Sequence, residues 1–280
     1  MKFTKMQGCV NDYVYVNGFT EKIEDEAAAA RLVSDRHFGI GGDGMIVIKP
    51  SGIADFEMCM YNADGSRSEM CGNGIRCVAK YVYDYGLTDN TSLTIESMGK
   101  IKYIELTVGE DGKVSYVKVD MGKPELKAEL VPVISDMAEA VEDVIEVDGA
   151  EFKMTCVSMG NPHAVIFIDG EVSKFPVKKI GKKLEKHCRF PNRTNVEFAR
   201  VTDRNNIDMR VWERGTGETL ACGTGCCATA VAAIVTGRAD NDITLHVLGG
   251  DIDIHWSGRR EDSVIMSGPA VTVFDGEIDL

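Results

Sequence analysis

Cys71-Gly72-Asn73-Gly74 and Cys222-Gly223-Thr224-Gly225 carry one pattern, Cys-Gly-x-Gly, 151 residues apart. Each opens an apolar stretch, and each stretch closes on a glycine fifteen residues past its cysteine, Gly86 and Gly237. The pattern predicts a helix starting at each cysteine. In the first, Ile75, Val78, Ala79 and Val82 recur at the spacing of one helical face. In the second, every residue from Cys226 to Val235 is small or apolar, so the helix should be buried on all sides. A thiol at the first turn meets free backbone N–H groups and the positive end of the helix dipole, both of which favour a thiolate.

The same offset recurs along the chain. Met6-x-Gly8-x-x-Asn11 is echoed by Met159-Gly160-Asn161, and His37 by His187, at 150 residues. Asn62-Ala63-Asp64-Gly65 lines up with Trp212-Glu213-Arg214-Gly215 at 150, and Gly86 through Asn90 with Gly237 through Asn241 at 151. A shared offset over this much sequence points to an internal duplication. Strands are expected at Tyr13–Asn17, Met45–Ile48, Phe56–Tyr61, Leu93–Ile95, Ile101–Val108 and Val114–Val119, with a turn at Gly109–Gly112. An acidic start and basic later residues predict a helix over Ile23–Arg36. The second half repeats the scheme with strands at Ala164–Ile168, Val196–Val201 and Asp208–Trp212 and a helix at Val177–His187.

The expected fold is therefore α/β (α+β), with two pseudo-symmetric domains, each a curved mixed sheet or barrel around a central helix. The acidic segment Ala128–Gly149 has no counterpart in the first half, and the boundary is placed just before it, near Gly122-Lys123-Pro124. That gives an N-terminal domain of residues 1–122, completed by 269–280, and a C-terminal domain of residues 123–268. The active site is expected in the cleft between them, where two cysteines would face one substrate.

A net charge of −13 disfavours nucleic acid and anionic membranes as partners. The most apolar segment, Cys226–Val235, is too short to span a bilayer. Met1-Lys2-Phe3-Thr4-Lys5 leads into a strand pattern rather than a signal peptide, and a cytoplasmic protein is expected. Nine cysteines without a secretion signal point to reduced thiols. Cys222, Cys226 and Cys227 are wrongly spaced for a closed zinc site, and no metal is expected. Cys9, Cys59, Cys77, Cys156, Cys188, Cys226 and Cys227 are read as small buried hydrophobes.

Five strings carry a family likeness: Asn62 through Ser66, Met70 through Gly74, Ser158-Met159-Gly160-Asn161-Pro162-His163, Arg193 through Val196, and Glu213 through Gly225. Together they closely resemble the diaminopimelate epimerases, cofactor-independent isomerases of lysine and peptidoglycan synthesis. The resemblance runs from Met6 to Val271 and implies that Cys71 and Cys222 are the paired acid and base. It implies that the amides after each cysteine (Gly72, Asn73, Gly223, Thr224) hold the substrate's α-carboxylate. Asn11, Asn62, Asn161, Asn195, Glu213 and Arg214 would surround the substrate, Arg214 taking a distal carboxylate and Glu213 an ammonium. His163 would stand beside the reacting centre, supporting Glu213 or a base. No cofactor is implied, the small-molecule substrate would be the amino acid diaminopimelate, interconverted between its LL and meso forms, and a homodimer is expected.

Two departures bear on the substrate. Gly44 stands where many members have glutamine, and Cys9-Val10 replaces a common Leu-Gly. Other thiol-pair racemases, of histidine or proline type, are the nearest alternatives. Proline racemases resemble Met-Cys-Gly-His at the first cysteine, where this chain has Asn73. A non-catalytic amino-acid-binding protein or a thiol redox protein is the alternative of another class. The second Cys-Gly-x-Gly and the lack of a Cys-x-x-Cys pair count against both.

Overall fold

A computed structural model describes residues 1–68 and 71–280. In chain order the elements begin β1 (Lys2–Gly8), β2 (Asn11–Asn17), α1 (Glu26–Ser34), β3 (Gly44–Lys49) and β4 (Phe56–Asn62). Next come α2 (Gly72–Asp84), β5 (Ser92–Ser97), β6 (Lys100–Val108), β7 (Val114–Gly122), β8 (Asp143–Val147) and β9 (Ala150–Ser158). They continue with β10 (Pro162–Phe167), α3 (Val177–Glu185), β11 (Asn195–Asp203), β12 (Asn206–Glu213) and β13 (Gly217–Thr219). The last are α4 (Gly223–Val235), β14 (Asp242–Val247), β15 (Gly250–His255), β16 (Val264–Gly268) and β17 (Val271–Glu277). The chain divides into two compact units, Met1–Val119 with Ser267–Leu280, and Asp120–Met266.

In the first unit the strands pair in the order β17-β1-β2-β3-β4-β5-β6-β7. Only β2–β3 and β4–β5 are parallel, and each of these crossovers carries a helix. The second unit runs β8-β9-β10-β11-β12-β14-β15, again with two parallel pairs, β10–β11 and β12–β14. Over seven strands the two ladders match in order and direction, β17-β1-β2-β3-β4-β5-β6 against β8-β9-β10-β11-β12-β14-β15, as a duplication requires. The acidic segment is not without a counterpart: β8 pairs with β9 as β17 pairs with β1. Its equivalent lies at the far end of the chain, which is why the first half holds no match.

Each unit has one helix inside the curve of the sheet and one outside. Helix α2 packs on β1 and β2 and also on β5 and β6, so the sheet wraps it. Its buried face extends beyond the apolar stripe, and Arg76 and Lys80 are buried too. Lys80 Nζ donates to Val114 O at 2.6 Å and pairs with Asp84, which removes most of the cost of burying its charge. Helix α4 contacts β9, β10 and β11 on one side and β14 and β15 on the other, and its residues from Cys226 to Ala233 are buried. The all-apolar sequence of α4 is thereby accounted for.

The outer helices cover the other face. Ala29, Ala30 and Val33 of α1 pack on Val14, Val16, Met45 and Val47. Val177, Ile180 and Leu184 of α3 pack on Ala164, Ile166, Val196 and Phe198. Each such aliphatic side chain contributes roughly 1.5–3 kcal/mol by leaving water. Helix α1 is shorter than the expected Ile23–Arg36 because Asp25 caps it, accepting from Ala28 N at 2.9 Å. One cysteine departs from expectation: Cys188 is exposed, in the turn after α3, whereas the other six read as hydrophobes are buried.

Candidate active site

Cys71 and Cys222 each occupy the N-cap of their unit's inner helix. Cys71 has φ −134° and ψ 112°, and Cys222 has φ −133° and ψ 109°, so the two caps are nearly superimposable in backbone. An extended cap residue turns its side chain back over the first helical turn, toward N–H groups that have no helical acceptor. Cys71 Sγ accepts from Gly74 N at 3.3 Å. Met70, in the string preceding this cap, lies outside the described residues.

The first unit builds around Cys71 from three strand ends. Cys71 Sγ donates to Asn11 Oδ1 at 3.0 Å, and Asn11 Nδ2 donates to Asp43 Oδ2 at 2.6 Å. Asp43 O in turn accepts from Ala63 N, next to Asn62, whose Nδ2 donates to Ser66 Oγ at 3.0 Å. Asn11 and Cys71 are thus joined with Asp43 in one network, and Asn62 stands beside it with its own bond to Ser66. Tyr13 faces the same thiol from β2; burial, and then the neighbouring Cys71 and Asp43, push its phenol up and keep it neutral. The side chain of Asn73 is turned inward: the residue is buried, and its Oδ1 accepts from Arg76 Nη2 at 3.0 Å, so the side-chain amide serves the helix.

Gly44 is fixed by its backbone neighbours. A Cβ there would lie 2.1 Å from Tyr61 O and 2.8 Å from Tyr13 Cε1, so no side chain fits this position. The glutamine common elsewhere has no room on this backbone.

In the second unit the expected residues form one continuous cluster. Asn161 Nδ2 donates to Thr224 Oγ1 at 3.2 Å, and Thr224 Oγ1 lies 3.6 Å from Cys222 Sγ. His163 Nε2 meets Asn161 Oδ1 at 3.0 Å. Asn195 Oδ1 accepts from Arg214 N at 2.9 Å, and its Nδ2 donates to Pro162 O. Arg214 projects into solvent, with one guanidinium N–H on Asn192 O at 3.1 Å. Glu213 accepts from Thr219 Oγ1. His163 bonds to Glu197 and Asn161, and through Asn161 and Thr224 it stands in line with Cys222.

Electrostatics work against a charge at Cys222. Burial pushes the Cys222 thiol well above the usual range, and the charges of Glu213 and Glu197 add to it. The helix terminus does not overcome these three effects. Glu213 is itself raised, chiefly by burial. Sequence reasoning missed Glu197, Tyr13, Asp43 and Thr219. Three of them sit in or beside strands whose patterns look like ordinary core, and only the spacing of Thr219 to Cys222 carried a hint.

Comparison with known proteins gives the family. The family model described as diaminopimelate epimerase matches residues 3–127 and 155–273. A diaminopimelate epimerase from Acetivibrio thermocellus is 55% identical, covering 100% of this chain and 99% of that protein. One from Methanococcus maripaludis is 52% identical over the full length of both chains. Among solved structures, a phenazine biosynthesis protein of the PhzF family from Bacillus anthracis aligns with TM-score 0.72 at 17% identity, covering 100% and 99% of the two chains. A probable proline racemase from Agrobacterium radiobacter gives 0.71 at 13% identity, covering 100% and 93%. At such identities the structures share the fold alone. With one family model covering most of its length and full-length relatives sharing half its residues, this chain belongs to the diaminopimelate epimerase family.

Proposed function

We propose that the chain interconverts LL- and meso-diaminopimelate by two-base proton transfer at Cα, as a step of lysine biosynthesis, with one cysteine from each unit acting on each face of that carbon. The observation that carries this is the pair of matched helix caps at Cys71 and Cys222. Inversion needs a base on one face and an acid on the other, and a duplicated fold supplies one thiol per unit. One sulfur, as thiolate, takes the α-proton, and the other, as thiol, delivers its own proton to the opposite face. The sulfurs thus exchange protonation states in each turnover. In the free enzyme burial and two carboxylates favour the thiol at Cys222, which suits it as the proton donor.

The carbanion has no cofactor to spread into, so its charge must be met through the α-carboxylate. The N–H groups of Gly72 and Asn73, and of Gly223 and Thr224, open the two inner helices and suit that anion. Arg214 is exposed and suits a distal carboxylate through its forked donors. Glu213, Asn11, Asn62, Asn161 and Asn195 suit the substrate's amines, and His163 the support of the second cluster. Among the described residues no helix is long and apolar enough to cross a membrane. The free thiols support a cytoplasmic location, and the family resemblance supports a homodimer.

Cys71→Ala and Cys222→Ala should each abolish epimerisation while the circular dichroism spectrum stays unchanged. In heavy water, early product should carry deuterium at Cα and recovered substrate little, because different groups serve the two faces. Turnover of more than about a tenth of wild type in either variant would reject the two-base reading. An enzyme that ignores diaminopimelate but racemises histidine would keep the chemistry and overturn the substrate.

A further inference from the structure

Glu197 lies on the central strand of the second unit, paired with Val165 of β10 and Val211 of β12. It is fully buried, as is His163. Glu197 Oε1 sits 2.6 Å from His163 Nδ1, and its Oε2 has no hydrogen-bond partner among the described residues. A buried carboxyl group with one oxygen unpaired costs stability, so a purely structural role does not account for it. The contact with Nδ1 needs one proton between the two atoms, because two lone pairs do not meet at that distance. His163 Nε2 faces Asn161 Oδ1, a pure acceptor, and must carry a proton of its own.

The direction of the remaining hydrogen bonds then follows. Asn161 accepts at Oδ1 and donates through Nδ2 to Thr224 Oγ1. With a lone pair of Oγ1 so used, the hydroxyl proton of Thr224 is free to point at Cys222 Sγ, 3.6 Å away. Were Nε2 the acceptor, Asn161 would turn over and Thr224 would spend its proton on the amide oxygen. Its lone pair would then face the sulfur and favour the thiol.

We propose that Glu197 is a positioning residue for Cys222: by bonding to Nδ1 of His163 it keeps the proton on Nε2 and orients the line through Asn161 and Thr224 so that a hydroxyl proton meets Sγ. The line offsets, at the sulfur, part of what works against its thiolate. The titratable groups around it are Cys156 on β9, His163 on β10, Glu197 on β11 and Glu213 on β12. Of these, Glu213 opposes the thiolate, Glu197 shares a proton with His163, and Thr224 is the side chain that supports the thiolate. This rests on Cys222 being one of the two proton-transfer groups, but its test needs no turnover.

The test is the pH dependence of iodoacetamide labelling at Cys222, followed by peptide mass mapping, with Cys71 as internal control. Glu197→Leu and Glu197→Gln both remove the carboxyl group, but only the leucine variant loses the Nδ1 partner. The Cys222 midpoint of Glu197→Leu should therefore lie about one pH unit above that of Glu197→Gln, a factor of ten in thiolate at lower pH, while Cys71 is unmoved in both. Glu197→Gln can still donate to Nδ1, leaves the proton on Nε2, and should label like wild type or at lower pH. Equal midpoints in the two variants overturn the proposal. If the leucine variant does not fold, nitrogen NMR of His163 in the wild-type protein decides. A proton found on Nε2 supports the proposal, and a bare Nε2 refutes it.

Discussion

At Glu213 the fold holds a carboxyl group where burial disfavours its charge, and the thiol of Cys222 beside it is raised first by burial and then by that charge. Both shifts have measurable signs. A carboxyl raised in the folded state stabilises the protein below its unfolded pKa and loses that contribution as pH rises through the folded one. Glu213→Gln should therefore melt higher than wild type at pH 7, with the gap closing as pH falls and the wild-type carboxyl takes up its proton. A gap that persists at pH 4 would refute the charge explanation. The same variant should move the labelling midpoint of Cys222 down, because a repelling charge is gone, while lowering turnover. Of the residues that matter at this scale, the cysteines, asparagines, Glu213 and Arg214 were legible from their strings. Glu197 was not. In Asn195-Val196-Glu197-Phe198-Ala199 a single carboxylate alternating with apolar residues reads as the wet face of a strand. Here α3 covers one face and α4 the other, so both are dry. Cys188 failed in the opposite sense, since sequence context does not say that α3 ends at Glu185 and leaves the following turn exposed.

Helix starts and hairpin turns decide how these residues are presented. Cys9 and Val10 form the two-residue connection between β1 and β2, with φ of 50° and 68°. That turn favours glycine and asparagine, and a β-branched residue in it is strained. Val10 is half exposed and packs little. Val10→Gly should stabilise the protein by about 1 kcal/mol in denaturant unfolding, the relief of strain exceeding the added freedom of the unfolded chain. A loss of stability would show that Val10 is held by contacts rather than tolerated. The inner helices invite a comparison. A Cβ at Gly74 would meet Ile46 Cδ1 at 2.9 Å, the flexible end of a side chain, whereas at Gly225 it would meet Glu197 Oε1 at 2.7 Å. Gly225→Ala should cost more stability and more activity than Gly74→Ala, because a carboxyl group already bonded to His163 has nowhere to move. Equal losses would contradict this ordering. The inner helices were legible from their cysteines and apolar runs. The hairpin of β8 and β9 was not, although Asp148-Gly149 is a strong turn signal, because its acidic setting drew attention from the short alternating strand before it.

At the scale of the molecule the duplication was legible from offsets alone, and residues 269–280 were expected to complete the first unit. The strand there is β17. It pairs with β1 from Lys2↔Glu277 to Gln7↔Val271, Phe3 meets Phe274 edge-on, and Thr4 and Tyr85 both donate to Asp275. Removing residues 271–280 should expose β1 as a bare edge and unfold the first unit. Hydrogen exchange would then show protection lost in β1 and β2 and kept in β10 and β11; uniform loss, or none, would count against this.

The pairing also brings the chain's two ends together: the Met1 amino group donates to Ile278 O at 2.6 Å. A short glycine linker can therefore join Leu280 to Met1, with new termini cut at exposed Lys123. In that circular permutant, residues 123–266 come first and the whole of the other unit follows as one uninterrupted stretch. Gene order and architecture, offset by one strand in the natural protein, would then coincide. Each half could be expressed by itself, which would open the duplicated ancestor to study as a single-copy protein.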